Sequence, residues 1–335
     1  MTGRHDTVPR LAAGLLAGAA LTGLARQAMR HRRVVRGQGD EVLFETGRRN
    51  VLAYRFTEAA TSVPDGAPVL VFETGMVSTA EHWCWVQRSL GRDHPTLTYS
   101  RAGYGRSEFR GHEPFTLRSA ALDLEDLVRH VCGQRPVVLV GHSLGGYLAM
   151  LSAESMRDLV RGLVLVDPSH PGELLRSPAQ AKGAKQITFN LTSMPQSTRL
   201  GLGELLATPP WVDLLPGDLQ GLCLDQYRDR KMWTAAQREW RATQKEFLDY
   251  PGSLPKIGVP VRLVAADRTH VTDKTASELH REIVAAAPVG DMRVIERATH
   301  DELLLRASLA SQVADVIGEF MRGLDEGHRS AEGAS

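Results

Sequence analysis

The sequence predicts an α/β fold: a mostly parallel eight-stranded sheet with helices on both faces, interrupted by a helical lid insertion. Three observations predict it. Short apolar runs alternate with longer helix-like stretches over residues 41–167 and 259–322, the pattern of parallel strands joined by crossover helices. The alternation breaks between His170 and Pro255, where Pro178, Pro195, Pro209, Pro210 and Pro216 fall and no strand pattern appears. One apolar strand runs directly into Gly141-His142-Ser143-Leu144-Gly145, and a helix-forming run follows.

Taken in order, the expected strands are Glu41–Thr46, Val51–Thr57, Val69–Glu73, Thr96–Ser100, Val137–Gly141, Leu163–Asp167, Val261–Ala266 and Met292–Glu296. The first two are close together and alternate apolar with polar, which reads as an antiparallel hairpin at a sheet edge. The expected helices are Ala80–Leu90, Thr116–Val131, Leu144–Ser155, Asp273–Ala287 and Asp301–Met321. Within the insertion, Leu222 to Leu248 is helical and charged, with Trp233 and Trp240 two turns apart.

The domain plan is a leader over residues 1–36, a core over 37–169 and 256–323, a lid over 170–255 and a disordered tail over 324–335. The leader fits three readings. Leu11 to Ala25 carries no charge. It is shorter than the ~20 residues of a membrane span, yet it suits a membrane-surface helix or anchor. Gly23-Leu24-Ala25 offers a small-x-small cleavage site. Arg26, Arg30, Arg32, Arg33 and Arg36 follow, and such a cluster favours the cytoplasmic side over export. A loosely helical leader without a membrane role is the third reading. The expected location is therefore the cytoplasm or the cytoplasmic face of a membrane, with export as the alternative.

Forty Lys and Arg balance thirty-nine Asp and Glu, so no overall field selects nucleic acid or an acidic partner. Cys84, Cys132 and Cys223 are far apart and odd in number, which argues against a disulfide framework and against a zinc site. No metal and no cofactor is expected.

Chemistry concentrates at the Gly-x-Ser-x-Gly segment. A serine on a strained strand-to-helix turn exposes its hydroxyl, and the helix N-terminus places backbone N–H groups beside it. Gly141 and Gly145 fit where side chains would collide. A serine hydroxyl needs a base; His300, just after the last strand, is the candidate. Asp267, at the carboxyl end of Val261–Ala266, is the expected acid that orients the imidazole. Asp167 ends the neighbouring strand and is the alternative acid. His142 is read as a core histidine, and Asp273 and Asp301 as helix caps. The expected oxyanion donors are the backbone N–H groups of Leu144 and of Met76, with Gly75 allowing the loop to turn. A carboxylate at Glu73, ending a central strand, is costly unless paired. Arg101, ending the next strand, is its expected partner in shaping that loop.

Together these residues resemble the α/β-hydrolase superfamily from about residue 41 to 322. Tyr99-Ser100-Arg101-Ala102-Gly103-Tyr104-Gly105-Arg106-Ser107 is similar to that family's D-R-x-G-x-G-x-S stretch, with Ser100 where Asp is common. Thr74-Gly75 replaces the usual His-Gly. The resemblance implies two-step acyl transfer by Ser143, His300 and an aspartate on a small, apolar acyl substrate, most simply an ester. Leu191, Met194, Leu200, Leu202, Leu205, Trp211 and Leu215 are candidates for an apolar pocket or for lid packing. Two other readings keep the same fold: a small-molecule receptor with little activity, and a cofactor-free haloperoxidase-like activity. Serine at the elbow disfavours the aspartate-nucleophile dehalogenases and epoxide hydrolases.

Overall fold

The computed structural model describes residues 7–64 and 66–332. The chain opens with α1 (Thr7–Arg36), then β1 (Val42–Glu45), β2 (Val51–Thr57), β3 (Val69–Glu73), α2 (Cys84–Leu90), β4 (Thr96–Ser100), α3 (Leu117–Cys132), β5 (Val137–His142), α4 (Leu144–Ser155) and β6 (Val160–Val166). The insertion follows as α5 (Glu173–Arg176), α6 (Pro178–Arg199), α7 (Gly217–Arg228) and α8 (Arg230–Leu248). The core resumes with β7 (Val261–Ala266), α9 (Asp267–Thr272), α10 (Lys274–Ala285), β8 (Gly290–Ile295), α11 (Glu302–Leu305) and α12 (Ala307–Glu332).

The eight strands lie in the order β1-β2-β4-β3-β5-β6-β7-β8. β2 runs antiparallel to both neighbours, and all other pairings are parallel. Strand alternation partitions the core. Val69, Val71, Val137 and Leu139 face one apolar cluster, covered by α3 and α4. Leu70, Phe72, Val138 and Val140 face the other, covered by α2 and α12. β3 lies between β4 and β5, so the chain leaves β3 toward one side and returns on the other. Parallel sheets bind ligands outside the carboxyl ends of the strands at such a switch point.

The expected strands are all present with small shifts at their ends. Two expected helices are divided: a 3-10 turn at Ala80–Trp83 precedes α2, and the expected Asp301–Met321 forms α11 and α12; α9 is an additional short helix before α10. The expected disordered tail is corrected, because α12 continues to Glu332; residues 333–335 lie outside the described residues.

The expectation that residues 1–36 stand apart from the fold is also corrected. α1 is rich in good helix formers and stops at Gly37 in the left-handed region, with φ 62°. Its second half packs on the insertion. Asp229, fully buried, accepts from Gln27 Nε2 at 3.1 Å and meets His31 Nδ1 at 3.2 Å. Arg30 is buried against Glu204, Asp225, the Gln27 side chain and the Arg228 carbonyl. Arg33 pairs with Asp225. The cluster read as a topogenic signal is thus partly a set of partners for acids of the insertion. Among the described residues no helix is long and apolar enough to cross a membrane.

Truncating Arg30 strands Glu204 and Asp225 at a partly solvated interface. Arg30→Ala is expected to cost about 2 kcal/mol of stability, read as a lowered midpoint in urea denaturation.

Candidate active site

Ser143 sits at φ 54°, ψ −125° between β5 and α4, a strained conformation for a non-glycine residue. The packing that enforces it excludes side chains on both flanks. A Cβ on Gly141 would lie 2.5 Å from the Gly145 carbonyl oxygen, and one on Gly145 would collide with the Glu73 and Thr74 carbonyls. Gly146 packs as tightly on Pro168. The elbow therefore rests directly on the end of β3.

Ser143 and His300 line one cavity of about 380 Å³ with Met76, Leu144, Asp167 and Glu173. His300 Nδ1 lies 2.7 Å from Asp167 Oδ2, which leaves Nε2 as the ring's uncommitted nitrogen. Asp167 is buried and kinked, at φ 43°. Its Oδ1 accepts the Ala266 N–H at 3.1 Å, and its Oδ2 accepts the Thr269 hydroxyl at 2.6 Å.

The expected acid, Asp267, does not reach His300. Strand register is the reason. His142 pairs with Val166, and Val166 with Val264. Continuing that register puts Ser143 level with Asp167 and Ala265. Asp267 lies two residues farther, roughly 6.6 Å along the strand direction, where it opens α9 at the partly exposed rim. Its Oδ1 instead accepts the Ala298 N–H at 2.9 Å. The backbone N–H groups of Arg297 and Ala298 hold it below the ordinary carboxylate range. Asp267 thereby anchors the loop that carries His300, whose residue Arg297 is itself at φ 57°.

Burial alone would raise Asp167; the hydrogen bond and charge of His300 outweigh it and hold the carboxylate well below its usual range. Burial likewise works against the His300 cation, but Asp167 raises the imidazole to about 9. Solvent reaches 41% of the His300 side chain and screens part of this pairing. His142 behaves as expected of a core histidine. Its Nε2 lies 3.2 Å from the His300 carbonyl, which can only accept, so that nitrogen donates. Burial and then the His300 charge push His142 down to about 3, so it stays neutral and braces the loop.

The Glu73–Arg101 pair is present and fully buried. A third partner was not foreseen: Glu239, on α8, accepts from Arg101 Nε at 2.7 Å and Nη2 at 2.9 Å. Arg101 also donates to the carbonyls of Thr74 and Gly75, the latter at 2.8 Å. In a trans peptide the N–H points opposite to the C=O. With the Gly75 carbonyl turned to Arg101, the Met76 N–H faces away from it, and Met76 lines the cavity. The Leu144 N–H, first in α4, has no intrahelical acceptor.

Glu173 was also missed. It lines the cavity, its Oε2 accepts the His170 N–H at 3.0 Å, and burial raises its carboxyl to about 7. A lone Glu inside a helix carries no sequence signal for this. The apolar walls come from Leu174, Ala184, Ile187 and Trp240, not from the expected residues. Leu191, Met194, Trp211 and Leu215 pack in the core, while Leu200, Leu202 and Leu205 are exposed. Asp273 caps α10 as expected; Asp301 precedes α11 without a side-chain cap. A larger open cleft, about 1300 Å³ beside Phe115 and Lys245, contains neither Ser143 nor His300.

The model of the alpha/beta hydrolase family matches residues 66–316. The chain belongs to that family. This hydrolase is 26% identical to an esterase of Mycobacterium tuberculosis over 266 residues, covering 77% of this chain and 83% of the relative. It is 32% identical to the carbamate hydrolase RutD of Pseudomonas savastanoi pv. phaseolicola over 101 residues. That match covers 30% of this chain and spans 39% of the relative's length, well under two thirds of it. The Cif epoxide hydrolase from Acinetobacter nosocomialis superimposes with TM-score 0.65 at 16% identity, over 82% of this chain and 88% of that one, a likeness of fold.

Two measurements check the electrostatics of the hydrolase's site. The His300 ring should titrate by NMR above the ordinary imidazole range, and Asp167→Asn should bring it down, because burial then acts unopposed. Arg101→Met should destabilise the fold by about 3–5 kcal/mol in chemical denaturation, since Glu73 and Glu239 are left buried and unpaired.

Proposed function

We propose that this hydrolase cleaves carboxylic esters through an acyl-enzyme formed on Ser143. One observation carries the reading: a strained serine shares a cavity with an imidazole whose Nδ1 is held by a buried carboxylate. His300 Nε2 takes the Ser143 proton as Oγ attacks the ester carbonyl carbon. The N–H groups of Met76 and Leu144 receive the developing oxyanion. Collapse of the tetrahedral intermediate expels the alcohol, which leaves with the proton from His300. Water then attacks the acyl-enzyme, gives its proton to His300, and Ser143 recovers it as the acid departs. Asp167 holds the imidazole tautomer and stabilises the imidazolium throughout. Asp267 positions the His300 loop.

A cavity of this size is at the small end for ligand sites, and beside its apolar wall of Leu174, Ala184, Ile187 and Trp240 it is lined by polar groups that include Glu173, Gln180 and Thr243. Short acyl esters suit it. The helices over residues 170–255 act as the lid.

A fluorophosphonate probe should label the protein, and Ser143→Ala should abolish both labelling and ester turnover while the fold persists. Unlabelled, folded wild type would overturn the proposal. Turnover of p-nitrophenyl esters should fall from butyrate to laurate. Asp167→Asn should lower kcat by about four orders of magnitude, whereas Asp267→Asn, which keeps its acceptor, should cost less than about tenfold. Catalysis needs neutral His300. Activity is therefore lost as pH falls through the raised His300 pKa, and kcat/KM should still be climbing above neutrality. Glu173→Gln should leave that limb in place; its disappearance would assign the limb to Glu173.

A further inference from the structure

The contact between α1 and the insertion creates a surface that the proposed chemistry does not use. α1 meets the turn that follows α6 in a close backbone crossing of Gly23 and Gly201, where a Cβ on Gly201 would lie 2.9 Å from the Gly23 backbone and 3.2 Å from the Leu24 nitrogen. Around this crossing large apolar side chains face solvent: Leu24, Leu200, Leu202 and Leu205, the last 80% exposed. Phe189, 70% exposed, stands three turns earlier on the face of α6 that ends in Leu200. Singly exposed leucines need no explanation, but a clustered set does.

Charge separates sharply here. α1 and α6 contain no Asp or Glu along their whole lengths, but carry six and three Lys or Arg respectively. The chain as a whole is nearly neutral. Arg30 and Arg33 are committed to Glu204 and Asp225. Arg26, Arg32, Arg36 and Arg199 are exposed. N-terminal to the crossing, the α1 sequence from Leu11 to Ala25 is uncharged.

We propose that this face docks on an anionic lipid bilayer, lying in the interface rather than crossing it. Exposed leucines beside unpaired arginines, with the neighbouring carboxylates Glu204 and Asp225 already neutralised by Arg30 and Arg33, are the composition of an interfacial surface. Because α6 also supplies Ala184 and Ile187 to the cavity wall, one helix joins the membrane contact to the substrate space.

The test is co-sedimentation of the full chain with phosphatidylcholine vesicles, alone or mixed with phosphatidylglycerol. Binding is expected on the mixed vesicles only, and should weaken with added salt. Replacing Leu200, Leu202 and Leu205 together by Ser should weaken binding at least about tenfold. Replacing Arg26, Arg32 and Arg36 by Ser should weaken it about a hundredfold. Both variants should keep wild-type circular dichroism, since all six side chains are exposed. No binding to mixed vesicles would overturn the proposal, and so would binding indifferent to the leucine variant. A dimer on size exclusion that the leucine variant dissolves would assign the face to a second copy, and would overturn it too.

Discussion

Arg101 is buried and cannot shed its charge, so the structure around it must supply acceptors in fixed positions. Glu73 comes from β3 and Glu239 from α8, and the Thr74 and Gly75 carbonyls complete the set. The arrangement ties the sheet, the loop after β3 and the insertion into one body. Its desolvation cost offsets much of its Coulomb energy; what it supplies is geometry. The guanidinium fixes the plane of the 75–76 peptide, and the Glu73 and Thr74 carbonyls are the surface on which Gly145 packs. The bend at Ser143 leans on a loop that Arg101 holds in place.

The second constraint is register. Parallel pairing aligns the ends of β5, β6 and β7, so residues that leave their strands at the same level meet. Ser143 and Asp167 do, and the loop after β8 brings His300 against Asp167 and into the cavity that Ser143 lines. Asp167 is buried, accepts three hydrogen bonds and faces a cation, so it remains ionised; Asp267, at the rim, is satisfied by backbone N–H groups. Both follow an apolar strand, yet only one has the depth to act on the imidazole. His142 and Asp267 both brace the His300 loop, one at the His300 carbonyl and the other at the Ala298 N–H.

The insertion is as much an electrostatic assembly as a cover. Its acids at Glu204, Asp225 and Asp229 are met by α1, and Glu239 is met by Arg101. Burying a carboxylate requires a partner, and the chain provides those partners from segments about 140 to 200 residues away. Arg26, Arg32 and Arg36 of α1 are not used this way and remain at the surface, beside apolar side chains that the core does not cover.

The sequence by itself determined the elements, because the central strands are apolar runs buried on both faces, the first two strands alternate, and the helices repeat at their own period. It also determined the serine, since Gly-x-Ser-x-Gly between strand and helix is a local pattern, and the late histidine on its loop. It could pair Glu73 with Arg101, because both end strands that had to be neighbours. Only the tertiary structure chose Asp167 over Asp267, found Glu173 and Glu239 and docked α1, because each depends on register, depth or a partner far along the chain. Local patterns report the backbone a segment prefers; which charged groups lose their water together is decided when the segments pack.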